Sequence, residues 1–133
     1  ELARYDSPVL AGDELAEFAL EDGRLLLHKV EISNIDQSKM TIVTTWEQLG
    51  DPRPLKIFVH ATDPDGQLLA QWDGLGTSWQ GWLSGDTLVQ LHTLTLPEDV
   101  PFDSIQLELG VYDSRSGQRW LTTDGLDHIQ LQE

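Results

Sequence analysis

The stretch from Leu55 to Asp73, Leu-Lys-Ile-Phe-Val-His-Ala-Thr-Asp-Pro-Asp-Gly-Gln-Leu-Leu-Ala-Gln-Trp-Asp, constrains the fold more than any other. Leu55, Ile57, Val59 and Ala61 alternate with Lys56, Phe58, His60 and Thr62, the two-residue period of a strand whose side chains point to opposite faces. Asp63-Pro64-Asp65-Gly66 then supplies a tight turn. Asp63 can bond its own downstream backbone, Pro64 presets φ, and Gly66 accepts positive φ at little cost. Leu68, Ala70 and Trp72 carry the returning strand, so the segment reads as an antiparallel hairpin.

The same punctuation recurs along the chain. Leu15–Leu20 is too short before Glu21-Asp22-Gly23 for a typical helix and reads as a strand. Leu25–Ile35 slips phase in the manner of a β-bulge. Met40–Trp46 is dense in β-branched residues and is closed by Gly50-Asp51-Pro52-Arg53-Pro54, where two prolines preclude a ladder. Thr87–Leu96 and Ile105–Tyr112 alternate cleanly, Asp113–Gly117 is a second hairpin turn leading to Gln118–Thr122, and Asp127–Leu131 makes a last short strand. No segment carries a sustained helical stripe. The expected fold is all-β, an antiparallel immunoglobulin-like β-sandwich of about eight or nine strands. Residues 1–12 read as an extended lead-in or linker remnant, and residues 13–133 as a single domain. Trp46, on an early central strand, and Trp72 are expected in the core.

Composition narrows the function. Eight basic residues against 23 acidic ones give a formal charge of -15, which repels phosphate backbones and anionic lipid. Nucleic acid and direct membrane insertion are therefore not expected as partners. The absence of cysteine removes disulfides, thiolate catalysis and the usual zinc-finger patterns. No apolar run approaches the roughly 20 residues of a membrane helix. The chain opens on Glu1 rather than Met, so it is expected to be part of something longer.

Catalytic patterns are weak. Gly76-Thr77-Ser78-Trp79-Gln80-Gly81 misses the nucleophile-elbow spacing by one residue, and Gly74-Leu75-Gly76 lacks the third glycine and the Lys-Ser/Thr pair of a phosphate loop. Glycosidic hydrolysis needs two facing carboxylates, and 23 acids guarantee accidental pairs without nominating one. Asp63 with Asp65, or Asp124 with Asp127, could hold calcium, but turn chemistry explains the first pair better. His28, His60, His92 and His128 all fall on expected strands without the short spacing of a zinc site. No cofactor or metal is expected.

The most informative residue type is tryptophan, five in a small domain. A flat indole stacks on the apolar face of a sugar ring while neighbouring polar groups bond its hydroxyls. Trp79 and Trp82, with Gln80 and Asp86, are thus candidate glycan contacts on the Asp73–Gly85 loop and its edge. A loop over the open end of a sandwich also buries its tryptophans as a lid, a reading that competes for both and more strongly for Trp82.

Several runs together resemble a family: Phe58-Val59-His60, Asp63-Pro64-Asp65-Gly66, Ala70-Gln71-Trp72-Asp73, Trp82-Leu83-Ser84-Gly85-Asp86, Leu94-Thr95-Leu96-Pro97, Leu109-Gly110-Val111-Tyr112-Asp113 and Ser116-Gly117-Gln118-Arg119-Trp120. The pattern is similar to the soluble domain that follows the membrane helices of bacterial glycosyltransferases of the dolichol-phosphate-mannose-dependent type, and to free-standing bacterial sandwich domains. The resemblance covers nearly the whole chain after about Leu25 and rests on turns and core positions. It implies a non-catalytic, extracytoplasmic accessory module, structural or glycan-recognising, whose partner is a glycan or the membrane part of the same polypeptide. The richer aromatic content of Gly76–Trp82 departs from the pattern. The alternatives are a protein–protein adhesion module or a small glycosidase-like enzyme.

Overall fold

The computed structural model describes residues 2–4, 15–34, 38–97 and 99–131. Among the described residues ten strands run in the order β1 (Leu2–Arg4), β2 (Ala16–Leu20), β3 (Gly23–Asn34), β4 (Lys39–Gly50), β5 (Leu55–Thr62), β6 (Leu68–Gly74), β7 (Thr87–Thr95), β8 (Gln106–Asp113), β9 (Leu121–Thr122) and β10 (Ile129–Leu131). They form two antiparallel sheets: β7-β4-β3-β2-β9, with β1 also pairing β3, and β10-β8-β5-β6. Between β6 and β7 and before β8 lie two single 3-10 turns, Trp79–Gly81 and Phe102–Ser104. The chain changes sheet between β4 and β5, between β6 and β7, and at each step from β7 through β10, the Greek-key order of an immunoglobulin-like sandwich.

The expected hairpin is β5-β6. The Asp63 carboxylate accepts from the Asp65 and Gln67 amides at 2.9 Å each, the Gly66 amide donates to the Asp63 carbonyl, and Gly66 takes φ +85°. The phase slip in β3 is also a real irregularity: the register with β4 shifts between Leu27 and Lys29. Leu25 and Leu27 enter the core before it, Val30 and Ile32 after it. The shift also divides the far side of β3, where β2 pairs with Gly23–Leu27 and β1 with Glu31–Ser33.

The strand count exceeds the expected eight or nine because β1 is three residues long and carries no periodicity to read. It falls within the expected lead-in; residues 5–14 lie outside the described residues. The run after the second hairpin turn divides. Arg119 bridges Tyr112 in one sheet, whereas Leu121–Thr122 pairs with β2 in the other.

Inward alternation from both sheets builds one core. Phe18, Leu25, Leu27, Ile42 and Trp46 meet Ile57, Val59, Leu109 and Val111, and Trp82 and Trp120 close it. Each such side chain contributes about 1.5–3 kcal/mol on full burial. Trp46 is fully buried, its ring 5.8 Å from that of Phe18. The likeness to antibody domains stops at its position. Their tryptophan lies on the strand after the first sheet crossing, whereas Trp46 lies on β4, before it. Trp72 is half-buried against the core, edge-on to His92 at 4.5 Å between ring centroids.

Candidate functional site

Because Ile57, Val59 and Ala61 turn inward, Phe58 and His60 turn to the outer face of the four-stranded sheet. Register sets their neighbours. Phe58 lies between Asp73 of β6 and Gly110 of β8, and His60 lies between Gln71 and Glu108. Phe58, His60, Gln71 and Asp73, with Tyr112, Gly117 and Arg119, line a depression of about 270 Å³.

Phe58 is its floor. Although it faces away from the core, it is only 1% exposed. Gly110 makes this possible: a β-carbon there would sit 2.3 Å from Phe58 Cζ. The Arg119 guanidinium covers the ring from above at 4.5 Å, a cation–π geometry, and the His60 and Tyr112 rings flank it at 4.7 and 6.2 Å. Asp127 holds Arg119 at 3.5 Å and pairs with His128 Nδ1 at 2.8 Å, while His128 Nε2 lies 3.6 Å from Glu108.

The walls are polar. The Tyr112 hydroxyl donates to Asp73 Oδ2 at 3.0 Å, and His60 Nε2 lies 3.9 Å from Asp73 Oδ1. Burial lowers the His60 pKa and outweighs the opposing pull of Asp73, so the imidazole is neutral near pH 7. Burial, then the bond to Asp73, raises the Tyr112 phenol. The His128 hydrogen bond holds the Asp127 carboxyl below the ordinary range. The depression therefore presents a phenol, a neutral imidazole, an amide, a carboxylate and a guanidinium already neutralised by Asp127. That set can exchange hydrogen bonds with a hydroxyl-rich neutral ligand.

The four sequence-derived candidates lie elsewhere, on the loop between β6 and β7. Trp82 is 4% exposed, and its indole N–H donates to the Asp86 carbonyl at 2.9 Å. The Gln48 amide donates to the Trp82 carbonyl, so this tryptophan is held as a lid on the core. Trp79 is half-buried, with the Arg115 guanidinium 5.6 Å from its ring centroid. Gln80 is exposed and accepts from Ser78 Oγ, and the Asp86 carboxylate accepts from the Leu83 amide. These bonds fold the loop upon itself. They bring Trp82 and Asp86 together through main chain, while Trp79 and Gln80 lie on the 3-10 turn that Trp82 caps, its amide donating to the Trp79 carbonyl at 3.3 Å.

Among the described residues no group of three or more His, Asp or Glu is arranged to hold a metal ion. His28 and His128 pair with carboxylates, at 2.9 Å to Glu47 and 2.8 Å to Asp127. His92 is buried, and its Nε2 lies 2.8 Å from Thr44 Oγ1, which also accepts from the Trp46 indole at 2.7 Å. What residue-by-residue reading missed was the outer face of β5, β6 and β8. Its signal was the phase opposite to the apolar one: Phe58, His60, Gln71, Asp73 and Tyr112 all sit on outward positions of confidently alternating strands.

No family model and no curated protein sequence matches the chain. Among solved structures, β-glucosidase 3B from Thermotoga neapolitana, in complex with glycerol, aligns over 90% of this chain with a TM-score of 0.39 and 13% identity. The chain spans 17% of that protein's chain. At this level the likeness supports no argument about fold or activity. The molecule is an antiparallel immunoglobulin-like sandwich with a polar depression on one outer sheet face.

Proposed function

We propose that the protein is a non-catalytic glycan-recognition module, an extracytoplasmic accessory domain of a larger bacterial protein of the membrane glycosyltransferase kind. The observation that carries the reading is the convergence of His60, Gln71, Asp73, Tyr112 and Arg119 on one depression. Its volume of about 270 Å³ lies below the roughly 300–1,000 Å³ of sites for drug-sized ligands, a space suited to one sugar ring with its neighbours lying across the sheet. Bidentate groups such as Asp, Gln and Arg match vicinal hydroxyls, and the Tyr112 ring offers an apolar wall. Acidic surroundings favour a neutral or cationic glycan over an anionic one.

Titration of the labelled protein with oligosaccharides and polyisoprenoid-linked sugars, followed by amide chemical shifts, tests the reading. Saturable shifts at His60, Gln71, Asp73 and Tyr112 are expected, abolished by Asp73→Asn at unchanged fold. No saturable shift with any sugar overturns it. Shifts confined to Leu75–Asp86, lost in Trp79→Ala but kept in Asp73→Asn, overturn the placement of the site.

A further inference from the structure

A second cavity, of about 470 Å³, opens at one end of the sandwich, where the β2-β3 turn, the β4-β5 connection and the turn after β8 come together. Its walls are tied to one another. The Ser114 amide donates to the Pro54 carbonyl at 3.1 Å, and the Asp113 carboxylate accepts from the Arg115 and Ser116 amides at 2.9 Å each. Ser116 and Gln118 line this cavity while Gly117 and Arg119 line the depression on the sheet face, so one short segment separates the two.

Two of the chain's eight basic residues, Arg53 and Arg115, line the cavity. The stem of Arg53 is packed in place: a β-carbon on Gly23 would meet its Cδ and the Trp120 ring at 2.7 Å each. The guanidinium is nevertheless underused. Glu21 Oε2 meets Nη1 at 3.1 Å, Asp113 Oδ2 stands 3.8 Å from Nη2, beyond hydrogen-bond reach, and the buried Nε has no partner among the described residues. Arg115 is exposed; it rests on the Trp79 ring at 5.6 Å, and among the described residues no carboxylate pairs with it.

Glu21 is a poor permanent partner for Arg53. Its side chain is 69% exposed, and its backbone takes φ +52°, the one positive value outside glycine among the described residues. It is the first of the two residues that join Leu20 to Gly23, a place that glycine, asparagine or aspartate usually fills. An exposed ion pair at a strained position contributes little to the fold, so the carboxylate can swing into water and leave Arg53 open.

We propose that this cavity captures the C-terminal carboxylate of a peptide, bonded by Arg53 and Arg115 in the place that Glu21 now fills. The stand-in is itself a carboxylate, and a planar guanidinium matches that group. The remaining lining selects the source. Leu20, Pro52 and Pro54 form an aliphatic wall without an aromatic platform, which suits an aliphatic last side chain better than a sugar ring. Ser116 and Gln118 offer a hydroxyl and an amide to the preceding peptide unit. A single carboxylate is also the anion that a chain of charge -15 repels least. The proposal does not rest on the glycan reading, since none of these residues lines the depression.

Titration of the labelled full chain with an acetylated tripeptide ending in leucine, followed by amide chemical shifts, tests it. Saturable shifts at Glu21, Arg53, Arg115 and Gln118 are expected with the free acid and none with the corresponding amide. Glu21→Gly, which frees Arg53 and relieves the turn, should bind the acid at least about threefold more tightly, because the open form no longer competes with an internal carboxylate. Arg115→Gln, an exposed substitution, should weaken binding about fivefold or more through the lost charge-assisted bonds. Lys56→Gln removes an equal charge from an exposed position on β5 and should leave binding unchanged. No saturable shift with the acid, or equal shifts with the amide, overturns the proposal. Equal affinity for glucuronic acid overturns the peptide assignment, and a folded Glu21→Gly variant that binds no more tightly overturns the role of Glu21 as stand-in.

Discussion

On the six-stranded sheet the outward positions of β7 are threonine, valine and leucine, set beside Thr41, Val43 and Thr45 of β4; on the four-stranded sheet the corresponding positions are Phe58, His60, Gln71, Asp73, Glu108 and Tyr112. Both sheets obey the same two-residue alternation, and both fill their inner faces with Leu, Ile and Val. The difference is confined to the half of each strand that the core does not use. Inner faces answer to packing, which tolerates many combinations of apolar residues of similar volume. Outer faces are free of that demand, so a cluster of an aromatic ring, imidazole, carboxylate, phenol and guanidinium on one of them calls for an explanation beyond stability.

The contrast extends inward. The six-stranded sheet supplies Trp46 and Phe18 to the centre of the core, together with a buried polar relay from Trp46 through Thr44 to His92. Removing the indole with Trp46→Ala should give the largest effect, about 3–5 kcal/mol of lost stability by denaturant unfolding. A loss below about 1 kcal/mol would mean that the core does not depend on this sheet as its burial implies.

Comparable in size, but reached only at acid pH, is an effect from His92. Burial pushes its pKa down to about 3. The unfolded chain takes up a proton near pH 6.5 while the folded chain resists until about 3, so stability falls as pH drops through that window. The full loss is on the order of 5 kcal/mol at its acid end. His92→Gln should flatten the stability curve between those limits. An unchanged slope in the variant would place the pH dependence on other groups.

Smallest in stability, yet sharpest for the comparison, is Gly110→Ala. The added methyl would meet Phe58 Cζ at 2.3 Å and the Asp127 carbonyl at 3.0 Å, displacing the floor of the depression. A cost of about 1–3 kcal/mol is expected from overpacking, with loss of glycan-induced amide shifts well below the unfolding transition. If binding survived with Phe58 displaced, the depression would not be the recognition surface.

Legibility in the sequence followed physical locality. The β5-β6 hairpin was readable because Asp63, Pro64 and Gly66 act on their own backbone within four residues. The bulge in β3 was visible because a phase slip is a property of neighbouring residues. Strand β9 was not readable as a partner of β2, since Leu121 and Thr122 pair with residues about a hundred positions away. The Asp73–Gly85 loop attracted notice through its tryptophans, yet residue type alone could not distinguish a lid from a platform. The Trp82 indole N–H reaches the Asp86 carbonyl and turns inward.

Alternation, turn chemistry and charge by themselves determined an acidic, antiparallel β-sandwich with its apolar positions inside. They act between adjacent residues, so one dimension is enough to express them. Only the tertiary structure decided which outward side chains become neighbours. Arg119 lies over Phe58 because a bridge to Tyr112 brings its segment back beside β8, and Asp73 meets Tyr112 because β6 and β8 flank the same strand. Lateral order in a sheet is a long-range choice, and the depression on the outer face of the four-stranded sheet follows from it.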